Sequence, residues 1–80
     1  MDDLDIVHRI RVLADEEHAL ERSHVGEALS DAEVERMRAI DVALDQCWDL
    51  LRQRRARRSA GEDPDQAAAR PEEVVERYRQ

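Results

Sequence analysis

Apolar residues recur along the first third of the chain at Ile6, Ile10, Leu13 and Leu20, with Glu17 in the same row. The spacings of four, three, four and three residues put this row on one face of a helix. Val7 and Ala14 widen the stripe, and the pattern predicts a helix over residues 3–24. Asp2, Asp3 and Asp5 stand at its start, where carboxylates cap free amides and meet the positive end of the helix dipole. Glu17 interrupts the stripe with a carboxylate.

Gly26 supplies a stop, because glycine takes the left-handed conformation that closes a helix. Ser30-Asp31-Ala32-Glu33 then fits a capping box, and Leu29 with Val34 has the spacing of a hydrophobic staple. A second helix follows over 31–59, with Val34, Met37, Ile40, Leu44, Cys47, Trp48 and Leu51 as its apolar face and Asp41 at the edge. The two helices would span about 33 and about 43 Å. A short loop between long amphipathic helices makes them antiparallel neighbours. Folding back near residue 27 sets Ile6 against the Trp48 turn, Ile10 against Leu44, Leu20 against Val34, and Met37 opposite Glu17. Trp48 would cover the open end, with the arginines after it projecting beyond the start of the first helix.

The expected fold is therefore all-α, an antiparallel helical hairpin in residues 1–60 followed by a linker and C-terminal docking tail in 61–80. Glu62-Asp63-Pro64-Asp65 reads as a turn, and Ala67–Ala69 as a weak helical turn. Pro71 followed by two acids opens a short helix whose small apolar face is Val74, Val75 and Tyr78. This tail is expected to be loosely attached or to dock on something.

Composition limits what such a hairpin can do. The chain has 80 residues and 9.3 kDa, with 41% of its residues charged and a net charge of −7. Leu, Ile and Val number 17, Phe is absent, and 11 of the residues counted as hydrophobic are alanines. That inventory cannot build the core of a conventional enzyme. One stripe per helix in a lone hairpin also falls short of offsetting the entropy of ordering it. Two hairpins packed face to face as a four-helix bundle would complete the stripes, so a homodimer or a protein partner is expected. The seam would comprise Ile6, Ile10, Leu13, Leu20, Met37, Ile40, Leu44, Trp48 and Leu51. The alternative is a monomer closed by its own tail. No apolar run is long enough for a membrane span or a signal peptide, and a single cysteine forms no internal disulfide. A cytoplasmic protein is expected.

The charge is polarised along the chain. Residues 1–50 hold 14 acids and 5 arginines, whereas Arg52, Arg54, Arg55, Arg57 and Arg58 form a block without an acid. Residues 59–80 return to a net of −3. Overall acidity, with a pI near 4.9, disfavours a dedicated nucleic-acid binder, although the block itself could clamp phosphates. It could equally receive an acidic protein surface or the protein's own acidic tail, or favour the dipole at the helix end. Because the first helix starts with Asp2, Asp3 and Asp5, Arg52, Arg54 and Arg55 are expected beside those carboxylates.

Other candidate chemistry is sparse. Glu21-x-x-His24 has a spacing found in di-iron bundles, with Glu17 one turn earlier. Acidic helices generate it often by chance, and no metal or cofactor is expected. Cys47 on the apolar face reads as a buried structural thiol. Trp48 reads as core, its indole N–H meeting Asp45, Asp49 or a carbonyl.

The segment from Leu44 to Arg58, together with Gly61-Glu62-Asp63-Pro64, Arg70-Pro71 and the ending Val75-Glu-Arg-Tyr78-Arg-Gln80, resembles a family of short actinobacterial proteins catalogued as domain of unknown function 2630. Glu16, Glu17, His18 and Leu20 add to the resemblance. It covers nearly the whole chain and implies a cytosolic helical protein, with no activity or ligand to carry over. A local likeness links Arg38-Ala-Ile-Asp-Val-Ala-Leu-Asp45, Leu50-Leu51 and Arg55 to the opening helix of all-helical chorismate mutases. That likeness implies substrate-clamping roles for Arg38 and Arg55. The lysine that family also uses has no counterpart, since every basic residue other than histidine is arginine.

The sequence thus points to a helical interaction or regulatory module rather than a catalyst. Arg52, Arg54, Arg55, Arg57 and Arg58 would meet an anionic protein surface, and Val74, Val75 and Tyr78 would add a second contact. A polyanion-directed module, acting on structured RNA or ribosomes through Arg52–Arg58, is the alternative. A mutase-like enzyme or a metal-binding bundle is more remote.

Overall fold

A computed structural model of the chain describes residues 1–23 and 26–76, with the side chain of Glu76 excepted. The elements are α1 (Asp3–Arg22), α2 (Asp31–Ser59), a 3-10 turn at Pro64–Gln66 and α3 (Glu72–Glu76). All are helical, as the spacing pattern required, and the molecule is 50 Å in its longest dimension. At 1.5 Å per residue, α2 alone accounts for about 43 Å of that length.

Both long helices open with reciprocal capping boxes. Asp2 accepts from the Asp5 amide at 2.8 Å while Asp5 accepts from the Asp2 amide at 3.2 Å. Ser30 and Glu33 make the same exchange at 3.2 and 2.9 Å. Each box satisfies amides that have no partner inside the helix. At the other end, α1 closes at Arg22 with Ser23 as its cap. Gly26 takes a φ of +83° within the connection. The end of α2 is more completely tied. Gly61 sits at φ +75°, its N–H donating to the Arg58 carbonyl, while the Glu62 N–H donates to that of Arg57. This Schellman arrangement uses a backbone conformation that side chains with a Cβ rarely adopt.

The core lies between α1 and α2. Ile6, Leu13, Ile40, Cys47 and Leu51 are buried in one cluster, with Ile10, Leu20, Ala43, Leu44 and Leu50 packed against it. On α2 the buried row runs through 40, 44, 47, 51 and 54, alternating by four and three residues. Trp48 lies one residue, about 100° of helix rotation, off this row. It is 46% exposed. The expectation that Trp48 fills the hairpin core is corrected accordingly: Leu51, 2% exposed, holds the position assigned to it.

The register differs from the expected one by about a turn. Arg54 and Arg58 both reach Asp3, and the Glu17 carboxyl meets that of Asp41. The arginine block therefore lies level with the start of α1 instead of beyond it, while Arg36 reaches Glu16 nearer the connection. The contact between the N-terminal Asp3 and Arg54 anchors this pairing, because it brings the charged ends of both helices together.

Beyond Gly61 the chain turns back along α2. Gln53 donates to the Ala68 carbonyl at 2.8 Å and Gln46 to that of Arg70 at 3.3 Å. Arg38 pairs with Glu72 at 3.0 Å, and Val75 is buried where α3 meets α2. The tail thus covers a second face of α2.

Candidate functional site

Two interhelical contacts mark the two flanks of the hairpin. On the first, Arg36 Nη2 donates to Glu16 at 2.8 Å, its Nε also donating to the same carboxylate. Ala43, Cys47 and Leu50 line a groove of about 240 Å³ beside Arg9, Gln46 and the tail residue Ala69. The tail borders this side.

On the opposite flank Glu17 meets Asp41. Moving along α2 from Asp41 in steps of seven residues, close to two full turns, leads to Val34 in one direction and to Trp48 and Arg55 in the other. Val34 is 50% exposed, and Arg55 is exposed. The matching row on α1 is Val7, Ile10, Ala14 and Glu17, of which Val7 is 40% exposed. Half-buried Met37 and Leu44 lie between the two rows. This flank is an apolar strip with an acidic pair toward one end and Arg55 at the other.

The acidic pair is electrostatically loaded. The hydrogen bond that protonated Glu17 donates to Asp41, partial burial and the charges of Asp41 and Glu21 hold the Glu17 carboxyl above its ordinary range, against a smaller opposing effect of His18. At the other interhelical contacts carboxylates are matched by cations. Arg54 and Arg58 hold Asp3 below the usual range, and Arg36 does the same for Glu16.

The arginine block does not form one cationic face. Five arginines within seven helical residues point in different directions around the axis. Arg54 is only 6% exposed, donating to Asp3 at 2.6 Å, to Asp65 at 2.8 Å and to the Pro64 carbonyl at 3.2 Å. Arg58 pairs with Asp3 at 2.9 Å and Arg57 with Glu62 at 3.7 Å. Arg52 and Arg55 are exposed, and it is Arg58, not either of these, that joins Arg54 at the acidic start. Arg54 and Val75, expected in a partner-binding set, are buried within the chain by its own tail contacts. Val74 is half-buried, and Tyr78 lies outside the described residues.

Asp49 was unforeseen as a structural centre. It has no solvent exposure, accepts from Arg70 through both oxygens, and receives Gln53 Nε2 at 2.9 Å. Arg70 holds it below the usual carboxylate range, with Gln53 helping. The readable signal was the polar spacing Gln46, Asp49, Gln53, which marks one face of α2 away from the apolar stripe.

The remaining candidate chemistry is dispersed. Among the described residues no group of three or more His, Cys, Asp or Glu side chains is arranged to hold a metal. Glu21 is exposed, while His24 lies outside the described residues. Arg38 and Arg55 are 17 residues apart, about 26 Å along α2. Arg38 pairs with the tail, so the two do not converge within the chain. Cys47 is a buried free thiol, as its place on the stripe implied. No helix among the described residues is long and apolar enough to cross a membrane.

Comparison with known proteins agrees with the resemblance read from the sequence. The model of a family described as protein of unknown function (DUF2630) matches residues 2–80. Uncharacterized proteins of Mycobacterium bovis and of two Mycobacterium tuberculosis strains are each 46% identical over 77 residues. The match covers 95% of this chain and 88% of each relative. No solved structure matches significantly.

Proposed function

The chain belongs to the DUF2630 family, and from that footing we propose that it is a cytoplasmic protein-interaction module, docking through the Trp48 flank of the hairpin. The observation that carries this reading is the 46% exposure of its one tryptophan, in line with Val34 and Arg55. Burying an indole is among the larger single gains available to an interface, and tryptophan and arginine are frequent anchors there. Met1, Leu4 and Val12 are also exposed, but this flank is where exposed Val7, Val34 and Trp48 adjoin the half-buried Ile10, Met37 and Leu44.

Docking rather than catalysis fits the dispersed polar groups. The pairing of Arg54, Arg57 and Arg58 with carboxylates of the same chain favours a protein surface over a polyanion, since these cations are already matched. A homodimer and a complex with another protein both fall within the reading.

The test is a photo-crosslinking benzophenone amino acid placed at position 52, beside Trp48, in the full chain expressed in cells. A second chain carries it at position 19, on the exposed side of α1. A protein adduct at position 52 and none at position 19 is expected. Adducts to RNA alone, or none at either position, would sink the reading.

A further inference from the structure

We propose that the occupant of the Trp48 flank is a second copy of this chain, paired about a two-fold axis at Trp48 so that each Arg55 meets its partner's Asp41 and Glu17. This rests on the interaction reading above and adds the identity and register of what binds.

Asp41 lies seven residues before Trp48 and Arg55 seven after it, each about 10.5 Å along the helix and close to the same angular position. When two α2 helices run antiparallel about a two-fold axis at Trp48, the residue seven before the axis falls opposite the residue seven after it. Both ends of the contact then pair an arginine with a carboxylate, and the two indoles stack across the axis. Such self-complementarity is what an isologous interface requires.

Other registers along the same row fail this condition. An axis at Asp41 places acid on acid, and one at Arg55 places arginine on arginine. Axes midway between members of the row set Asp41 or Arg55 against the partner's indole, or Asp41 against its Val34. Only the axis at Trp48 matches unlike charges on both sides, and like-charge contacts are strongly disfavoured when desolvated.

A second observation points to the same end of the surface. Glu17 and Asp41 share a carboxyl–carboxyl contact with Glu21 close by, and among the described residues only His18 offsets the acids around Glu17. Within the chain no arginine is paired with either acid among the described ion pairs. Arg55 is exposed and has no ion pair among the described residues. A partner's Arg55 would provide the cation that the acidic pair lacks.

The apolar area lies between these charges. Val7 and Trp48 are exposed on the flank, with Ile10, Ala14, Met37 and Leu44 half-buried beside them. Among the described residues the tail borders the opposite flank through Ala69, and Trp48 stays exposed. Two hairpins joined in this way form a four-helix assembly in which both α1 and α2 border the seam.

Sedimentation equilibrium of the full chain is expected to give twice the 9.3 kDa chain mass at micromolar concentration. Asp41→Arg and Arg55→Glu should each weaken self-association at least ten-fold, with circular dichroism confirming that each remains helical. Mixing the two variants should restore a dimer, because both 41–55 contacts across the axis then join opposite charges. A wild-type chain that stays at single-chain mass to millimolar concentration overturns the self-pairing. So does a dimer indifferent to both variants. Position-52 crosslinks to a different protein, with the wild-type chain monomeric, would leave the interaction reading standing while removing this one.

Discussion

Arg70 closes over Asp49 from the tail, its Nε and Nη2 donating to the two oxygens of a carboxylate that has no solvent exposure. Two parallel bonds between a planar guanidinium and a carboxylate fix orientation as well as distance. This contact, with Gln46 and Gln53 on either side, holds the segment before α3 along α2.

Removing Arg70 should therefore cost more than an exposed ion pair would. Arg70→Met takes from Asp49 the cation that binds both its oxygens, a loss of about 2 kcal/mol for a pair whose arginine is one-third exposed. Adding Asp49→Leu to Arg70→Met should recover much of that loss, because no unpaired charge then remains. Urea denaturation of the two variants checks the order, and faster proteolysis after Gly61 in Arg70→Met checks that the tail is what loosens. Equal midpoints for the single variant and the wild type would show that the contact contributes nothing.

Leu51 and Trp48 are three residues apart and should behave oppositely. Leu51→Ala removes a side chain that is 2% exposed within the core cluster, and such truncations cost about 2–5 kcal/mol. Trp48→Ala trims a half-exposed side chain, so at dilute concentration the hairpin should remain folded with a loss of under about 1 kcal/mol. Thermal melts followed by circular dichroism separate the two cases. A larger loss for Trp48→Ala than for Leu51→Ala would return the indole to the core.

The capping boxes and the apolar spacing made both long helices legible, because those signals are local: a few side chains and backbone groups within one turn. Cys47 as a buried thiol followed from the same periodicity. What escaped was relational. A turn's shift between the helices moves Leu51 into the place of Trp48 and Asp41 opposite Glu17, and no single-helix pattern registers such a shift. Docking of the tail was one of the sequence's alternatives, but its anchoring pair escaped for a similar reason. Asp49 and Arg70 are 21 residues apart, and each alone reads as an ordinary solvated charge. Arginines spread around the axis likewise read as one block in the sequence and as several separate contacts in space.

Arg54 and Arg55, adjacent in sequence, should separate structure from surface. Arg54 joins Asp3, Asp65 and the Pro64 carbonyl, linking α1, α2 and the tail. Arg54→Ala should lower the unfolding midpoint clearly and expose the tail to protease, while Arg55→Ala should leave the midpoint of dilute protein unchanged. Parallel thermal melts at low concentration decide this. Equal destabilisation by both would mean that the three contacts of Arg54 add nothing beyond helix-end charge.

The carboxyl pair predicts a pH dependence opposite in sign to that of the other matched acids. Asp3, Glu16 and Asp49 have folded-state values below their ordinary ones of 3.8, 4.5 and 3.8. Their contributions are present above that range and are lost as the pH falls through the lowered values. Glu17 lies above its ordinary 4.5, chiefly through its hydrogen bond with Asp41, so the folded chain binds that proton more tightly than the unfolded chain does. Its contribution is fully present below 4.5 and disappears as the pH rises through the raised value. Glu17→Gln keeps a hydrogen-bonding side chain while removing the charge. It should therefore stabilise the chain at pH 7, by under about 1 kcal/mol for a half-exposed group, with the advantage vanishing near pH 4. Urea midpoints of variant and wild type across pH 4–8, at a concentration low enough to keep both monomeric, give the comparison. A benefit that is constant with pH, or one that grows toward acid, would show that Glu17 is not strained by its neighbours.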